Sequence, residues 1–315
     1  MTSWRMRAAC LVLALVLLTI PGPGRSGGPR AVEIHAEPTS VVADRLDGLV
    51  LSGAWELTGN LRRFGGFSGL IVDDGSLIAV SDRGVMVTAR FARSGSDLSF
   101  SDGRLVRLKE SDGTDPGNEG GDAEALTRLD GQIYAAFERD HRIAPLTPDG
   151  VMGAPITVPD FERLPSNGGI EALAATSGVL LAMPEVSRGG RTPLYVLDPG
   201  GRFIARGAID TPRPHVVTDA AVGPDGMLYV TLRDFSLFTG FSIRVRRHRL
   251  AGTPPLPVDG AGDTLASFGA GTGIDNIEAV ALWTDGEGVL RLWLLSDDNF
   301  NIFQRTLLLE FVVTR

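Results

Sequence analysis

Asp275-Asn276-Ile277-Glu278-Ala279-Val280-Ala281-Leu282-Trp283, a turn at Asp285-Gly286, an apolar run over 289–295, then Ser296-Asp297-Asp298-Asn299-Phe300-Asn301 and Gln304-Arg305-Thr306-Leu307-Leu308-Leu309-Glu310-Phe311: this C-terminal stretch decides the fold. An acidic residue opens an apolar strand, a glycine-containing turn reverses the chain, and a second apolar strand ends in a polar cluster. The hairpin therefore returns its carboxylates to the end at which it began.

The same unit occurs four more times upstream. Phe67-Ser68-Gly69-Leu70 leads through Asp74-Gly75 to a strand ending in Ser81-Asp82-Arg83, and Asp122-Ala123-Glu124-Ala125-Leu126 leads through Asp130-Gly131 to Phe137-Glu138-Arg139. Gly169-Ile170-Glu171-Ala172 leads to Met183-Pro184-Glu185, and Thr218-Asp219-Ala220-Ala221 leads through Asp225-Gly226 to Leu232-Arg233-Asp234. The anchors Ser68, Glu124, Glu171, Asp219 and Glu278 lie 56, 47, 48 and 59 residues apart. A period of about fifty with strands inside it predicts the blades of a β-propeller.

Further strands over 86–92 and 98–108, 194–198 and 203–209, and 241–250 and 263–268 bring the first, third and fourth repeats to four strands each. The last repeat has only three, while the apolar stretch 49–57 near the N-terminus is unassigned. That N-terminal strand is expected to complete the C-terminal blade and close the ring without an unpaired edge. The expectation is an all-β chain forming a single β-propeller of five four-stranded blades. Six are possible if a divergent blade hides in the long interval after Ser68 or after Asp219.

Before the repeats, residues 8–20 form a run of thirteen mostly aliphatic residues behind two arginines, broken by Pro21-Gly22-Pro23-Gly24. The run is short for a membrane span. Residues 1–31 are therefore read as an export signal with a short flexible lead, and 32–315 as the propeller domain, placing the protein in the periplasm or outside the cell. Cys10, the one cysteine, falls in the signal, so the mature chain has neither a disulfide nor a thiol nucleophile. No later stretch is long and apolar enough for stable membrane insertion after cleavage, and a monomer is expected. The net charge of −8 argues against a nucleic-acid partner. Of thirty basic residues only Lys109 is lysine; guanidinium suits paired contacts with carboxylate or phosphate, and a coding bias toward arginine explains the count equally well.

Ring geometry turns these motifs into a site. The innermost strand of each blade lines the central channel, so Ser68, Glu124, Glu171, Asp219 and Glu278 should converge near the axis at one face. Carboxylates so close either hold protons or surround a cation. Oxygen ligands without nearby histidine or cysteine suit Ca2+, and the expected ligands are Glu124, Glu171, Asp219, Glu278 and Asp297. The alternative is that each carboxylate caps backbone N–H groups of a neighbouring blade. The ends of the second strands offer Arg83, Glu138, Arg139 and Arg233 as catalytic candidates, or simply as solvated pairs.

Other signals are weaker. The acidic, glycine-rich loop 112–122 departs from EF-hand spacing, with Pro116 where a ligand belongs, and reads as a mobile surface loop near the mouth, with a second metal site the alternative. Gly66-Phe67-Ser68-Gly69 lacks the full frame of a serine-hydrolase nucleophile turn and precedes a strand. His141 and His215 read as non-catalytic.

Ser81-Asp82-Arg83-Gly84, Asp122-Ala123-Glu124-Ala125-Leu126, Phe137-Glu138-Arg139, Gly168-Gly169-Ile170-Glu171-Ala172-Leu173, the stretch 235–246 and the C-terminal motif resemble the bacterial family called phytase-like, or "esterase-like activity of phytase". The resemblance runs in order over about 64–311. It implies a β-propeller, and the well-characterised β-propeller phytases bind several calcium ions at an acidic channel mouth and attack a phosphoester with metal-activated water. Their ligand set is not carried onto individual residues here. The expected function is therefore exported, calcium-assisted hydrolysis of a small anionic phosphoester. The alternatives are a non-catalytic propeller that binds the cell envelope around a structural ion, and a calcium-dependent lactonase or carboxylic esterase.

Overall fold

The computed structural model describes residues 28–73, 75–156, 161–165 and 168–314, so most of the expected export signal lies outside the described residues. Five strands, Phe67–Asp73, Ala123–Leu129, Ile170–Thr176, Val216–Val222 and Asn276–Thr284, are apolar along most of their length and mostly buried. A strand buried on both faces needs packed neighbours on both sides. Each of these lies against the next around a ring, the fifth against the first.

Each inner strand is followed by its antiparallel partner through a tight turn. At Asp130-Gly131 and Ser177-Gly178 both central residues take positive φ, 49° and 84° in one, 50° and 75° in the other. This is the turn whose twist matches that of paired strands. The first blade then adds Val85–Ser94 and Asp97–Arg107 to Ser76–Ser81, and the third adds Arg191–Leu197 and Phe203–Asp210 to Val179–Pro184. The fourth adds Gly240–His248 and Asp263–Phe268 to Leu228–Ser236. The second departs from the four-strand expectation. It has Ala123–Leu129, Gln132–Phe137 and Arg142–Leu146, and among the described residues its outer position holds only single bridges from Ile156 to Ile143 and from Met152 to Leu146.

The fifth blade runs Asn276–Thr284, Leu290–Asp297, Leu307–Val313 and then Leu49–Gly59, with Trp55 opposite Leu308 and Val50 opposite Val312. The N-terminal strand thus closes the ring, and five blades complete it. The same segment also edges its neighbours: Arg30–Ala31 pairs with the first blade, Arg45–Leu46 with the fourth, and Ile34–Pro38 lies outside Leu49–Gly59. Three consecutive blades are laced by one short length of chain.

The core is divided into five apolar seams, one between each pair of neighbouring blades. The closing seam holds Trp55, Phe91 and Trp293, with the Phe91 and Trp293 rings 4.6 Å apart. Burial of one large apolar side chain contributes about 1.5–3 kcal/mol, so this seam is a substantial part of what keeps the ring shut. Glu310 is wholly buried beside it and accepts hydrogen bonds from Ser52 Oγ (2.8 Å), Arg93 Nη2 (2.8 Å), Arg291 Nη1 (3.2 Å) and Trp293 Nε1 (2.9 Å). Burial raises its carboxyl, but the Arg93, Trp293 and Ser52 donors outweigh it and hold the group below its ordinary range. Apart from single turns at Gly117–Gly120 and Phe161–Arg163, the described residues contain no helix, and none long and apolar enough to cross a membrane.

Candidate functional site

One irregularity recurs in all five blades. Near the start of each inner strand the pairing register slips by one residue. Ser81 and Val80 pair with Phe67 and Gly69, which leaves Ser68 unpaired. By the same slip Glu124, Glu171, Thr218 and Glu278 are left out of their ladders. A β-bulge bends the strand and re-aims the extra side chain. Ser68, Glu124, Glu171 and Glu278 accordingly line a cleft of about 770 Å³ at one face of the ring.

The fourth blade shows why Asp219 is not with them. The bulged residue there is Thr218, and Asp219 follows it, paired with Thr231. Successive strand side chains point to opposite faces, so a difference of one residue reverses direction. Asp219 is buried, with Oδ2 accepting the Val280 N–H of the fifth blade at 2.8 Å, and burial lifts its carboxyl well above the usual range. It caps backbone across a blade seam. Thr218 donates to the Ile277 carbonyl at 3.1 Å and does not line the cleft.

The ends of the second strands supply the rest of the wall: Asp82, Glu138, Glu185 and Asp297, with Arg139 and Arg233. Asp122, two residues before Glu124, joins them. Asp122, Glu124 and Glu138 each offer a carboxylate oxygen within 4.8 Å of the others. Arg139 Nε donates to Asp122 Oδ2 at 2.5 Å. Arg233 is clasped on several sides: Nη1 donates to Asn276 Oδ1 at 2.8 Å and pairs with Glu278, while Nη2 lies 3.4 Å from Glu185. Arg83 stands outside this wall, half exposed, 3.7 Å from Asp82 and over the Phe300 ring.

So many acids in one cleft oppose each other's ionisation. Burial, then the Glu171, Asp122 and Glu138 charges, push the Glu124 carboxyl well above its ordinary range. Burial and the Glu185 and Glu138 charges lift Glu171 to about 8, and burial lifts Asp297 to about 7. Glu138 is raised by burial and by Asp122. Of the seven non-glycine residues with positive φ among the described residues, Arg139, His141, Asn299 and Phe300 sit in the two loops beside this cleft. Left-handed backbone at non-glycine residues is costly and concentrates at sites held in one geometry.

The donor set fits a hard cation. Among the described residues the cleft has no histidine or cysteine, and its clustered oxygens are those that Ca2+ or Mg2+ accepts. A positive ion among Asp122, Glu124 and Glu138 would offset the crowding of negative charge that, with burial, raises the Glu124 and Glu138 carboxyls. Glu171 adjoins that trio, whereas Glu278 and Asp297 lie in the wall near Arg233. Asp122 is not among the ligands expected at the axis; the sequence offers it only as the last residue of the acidic loop 112–122, and it lies just before the strand Ala123–Leu129.

Residues 62–300 match the family described as Phytase-like: Esterase-like activity of phytase. The chain belongs to this phytase-like family, and its fold is a five-bladed β-propeller. No curated protein matches it. Among solved structures it is similar to the glutaminyl cyclase of Myxococcus xanthus, at 16% identity over 88% of this chain and 100% of the other, with a TM-score of 0.49. It is also similar to a putative gluconolactonase (15% identity, 88% and 93% covered, TM-score 0.46) and to the Cps50 beta-propeller domain of Myceliophteria thermophila (11%, 90% and 100%, 0.42). At these identities the likeness concerns the fold alone.

Proposed function

We propose that the protein is an exported hydrolase of small phosphoric esters that works with a calcium ion in the axial cleft. The observation behind this reading is the Asp122, Glu124 and Glu138 trio, set in a cleft whose two arginines are held by carboxylates. Asp122, Glu124 and Glu138 would hold the ion, with Glu171 beside them. When bound, the ion supplies Lewis-acid charge for a phosphoryl oxygen and makes water a better nucleophile. The protein's own groups do the rest. Asn276, Glu278 and Glu185 fix the Arg233 guanidinium, and Asp122 fixes that of Arg139, so both donors face the anion in a set position. Asp297, near 7, exchanges a proton in the working range, taking one from the attacking water and returning it to the leaving alcohol.

Because both guanidiniums are already paired, a neutral carboxylic ester or lactone is the second reading for the same cleft. The test is hydrolysis of nitrophenyl phosphate, a short-chain nitrophenyl ester and a lactone, with calcium and then with chelator. Calcium-dependent phosphate release lost in Glu124→Gln supports the first reading, and ester or lactone cleavage alone supports the second. Calcium-linked stability without turnover on any substrate overturns both and leaves a binding propeller with a structural ion.

A further inference from the structure

The fourth blade departs from the others at a second place. The residue three positions before the bulged one is Gly65, Gly121, Gly168 and Asp275 in the other blades, and His215 in this one. The His215 N–H donates to the Pro212 carbonyl (3.2 Å), a turn that holds the ring between the cleft-lining Pro214 and Val216. The antiparallel pairing of Val216 with Arg233 sets His215 beside Asp234, and Asp234 stands opposite Ser242 of Gly240–His248. Residues in register on neighbouring strands share a face. His215, Asp234 and Ser242 therefore form one row across the blade, and its middle member, Asp234, lines the axial cleft. The imidazole spans the row, with Nε2 3.2 Å from Ser242 Oγ.

The ring is buried, and Nδ1 has no hydrogen-bond partner among the described residues. A histidine kept for packing alone is normally satisfied at both nitrogens, because a bare buried polar atom is destabilising. Burial and then the Arg244 charge hold the ring below its ordinary range, against the pull of Asp234. A neutral imidazole joined through one nitrogen to a hydroxyl, with a carboxylate at hand, is the arrangement of a general base and its nucleophile.

We propose that Ser242 and His215 are the nucleophile and general base for hydrolysis of a neutral carboxylic ester at the flank of the axial cleft. With the ring proton on Nδ1, Nε2 accepts the Ser242 proton as Oγ attacks the acyl carbon. The bond from that carbon to the alcohol oxygen then breaks, and the alcohol leaves with the proton from Nε2. Water attacks the acyl-serine, passes one proton to Nε2 and releases the carboxylic acid, and Nε2 returns the proton to Oγ. The Asp234 charge stabilises the imidazolium formed in each half, and Arg244, two residues from Ser242 on the same face, brings positive charge toward the oxyanion. Pro214, Val216 and Phe241 border the approach, which suits a small uncharged acyl group. The reaction uses neither the acidic trio nor a cation, so it stands apart from the phosphoric ester reading.

The test uses the full chain in EDTA. A fluorophosphonate probe is expected to add to Ser242 Oγ, located by peptide mass spectrometry, and nitrophenyl acetate to be cleaved with its acetyl group trapped on the same residue by acid quenching. Ser242→Ala should lose the adduct, and His215→Gln should slow labelling by about a hundredfold or more. The melting temperature of Ser242→Ala, with and without calcium, should match that of the unsubstituted protein. Absence of the adduct from Ser242 in the unsubstituted protein overturns the proposal without recourse to any variant, and so does labelling unchanged in His215→Gln. Ester cleavage that appears only with calcium also overturns it, since that activity belongs to the acidic cleft.

Discussion

Replacing Glu171 with glutamine addresses the electrostatics of the cleft directly. In the cation-free protein, burial and the Glu185 and Glu138 charges lift this carboxyl from 4.5 to about 8. In the unfolded chain it titrates near its ordinary value of about 4.3. Below that value both states are protonated and the group contributes nothing to the pH dependence. Between the two values the folded protein keeps a proton that the unfolded chain has released, so stability falls as pH rises, and above about pH 8 the full penalty is present. A rise of this size corresponds to about 5 kcal/mol. Glutamine has nearly the same shape and is neutral throughout. Glu171→Gln should therefore match the unsubstituted protein at about pH 4 and exceed its stability by several kcal/mol at about pH 9. Urea unfolding in EDTA across that range measures the difference. Parallel stability profiles for the two proteins, or a variant that is less stable above about pH 8, would refute the reasoning.

Calcium at a hundredfold excess over its dissociation constant should stabilise the protein by about 2.7 kcal/mol; thermal melts should show the gain, and Glu124→Gln should lose it. Glu310→Ala leaves Arg93 and Arg291 without their buried partner and should cost on the order of 3–5 kcal/mol in urea unfolding. If Asp297 takes the proton of the attacking water, activity should rise with pH through about 7, and Asp297→Asn should remove that limb of the pH–rate profile.

The ring was legible because strand pairs at a near-constant interval leave a periodic trace, and because the unassigned strand over 49–57 had to find the incomplete last repeat. Glu124, Glu171 and Glu278 were placed in the axial cleft by the same periodicity, and the structure puts all three in its wall. Asp219 shows the limit. Aligned by chemical type it matches Glu171, but Thr218 occupies the bulge, and a strand has no tolerance for a slip of one. Asp122 and Glu185 join the cleft from positions just beyond strand ends, where direction depends on turn geometry more than on alternation. Arg83 lies at such an end too and points elsewhere. The second repeat offered no outer strands in its sequence, and among the described residues its blade is the one with a reduced outer edge.

The recurring bulges also bear on how such a protein can change. A bulged residue has no register partner across the ladder, so exchanging Ser68 or Glu124 leaves the strand pairing itself in place. Four of the five positions open onto one collar, where Ser68 holds a neutral group and Glu124, Glu171 and Glu278 hold acids. Charge at the collar can be added or withdrawn one blade at a time while the scaffold stays as it is.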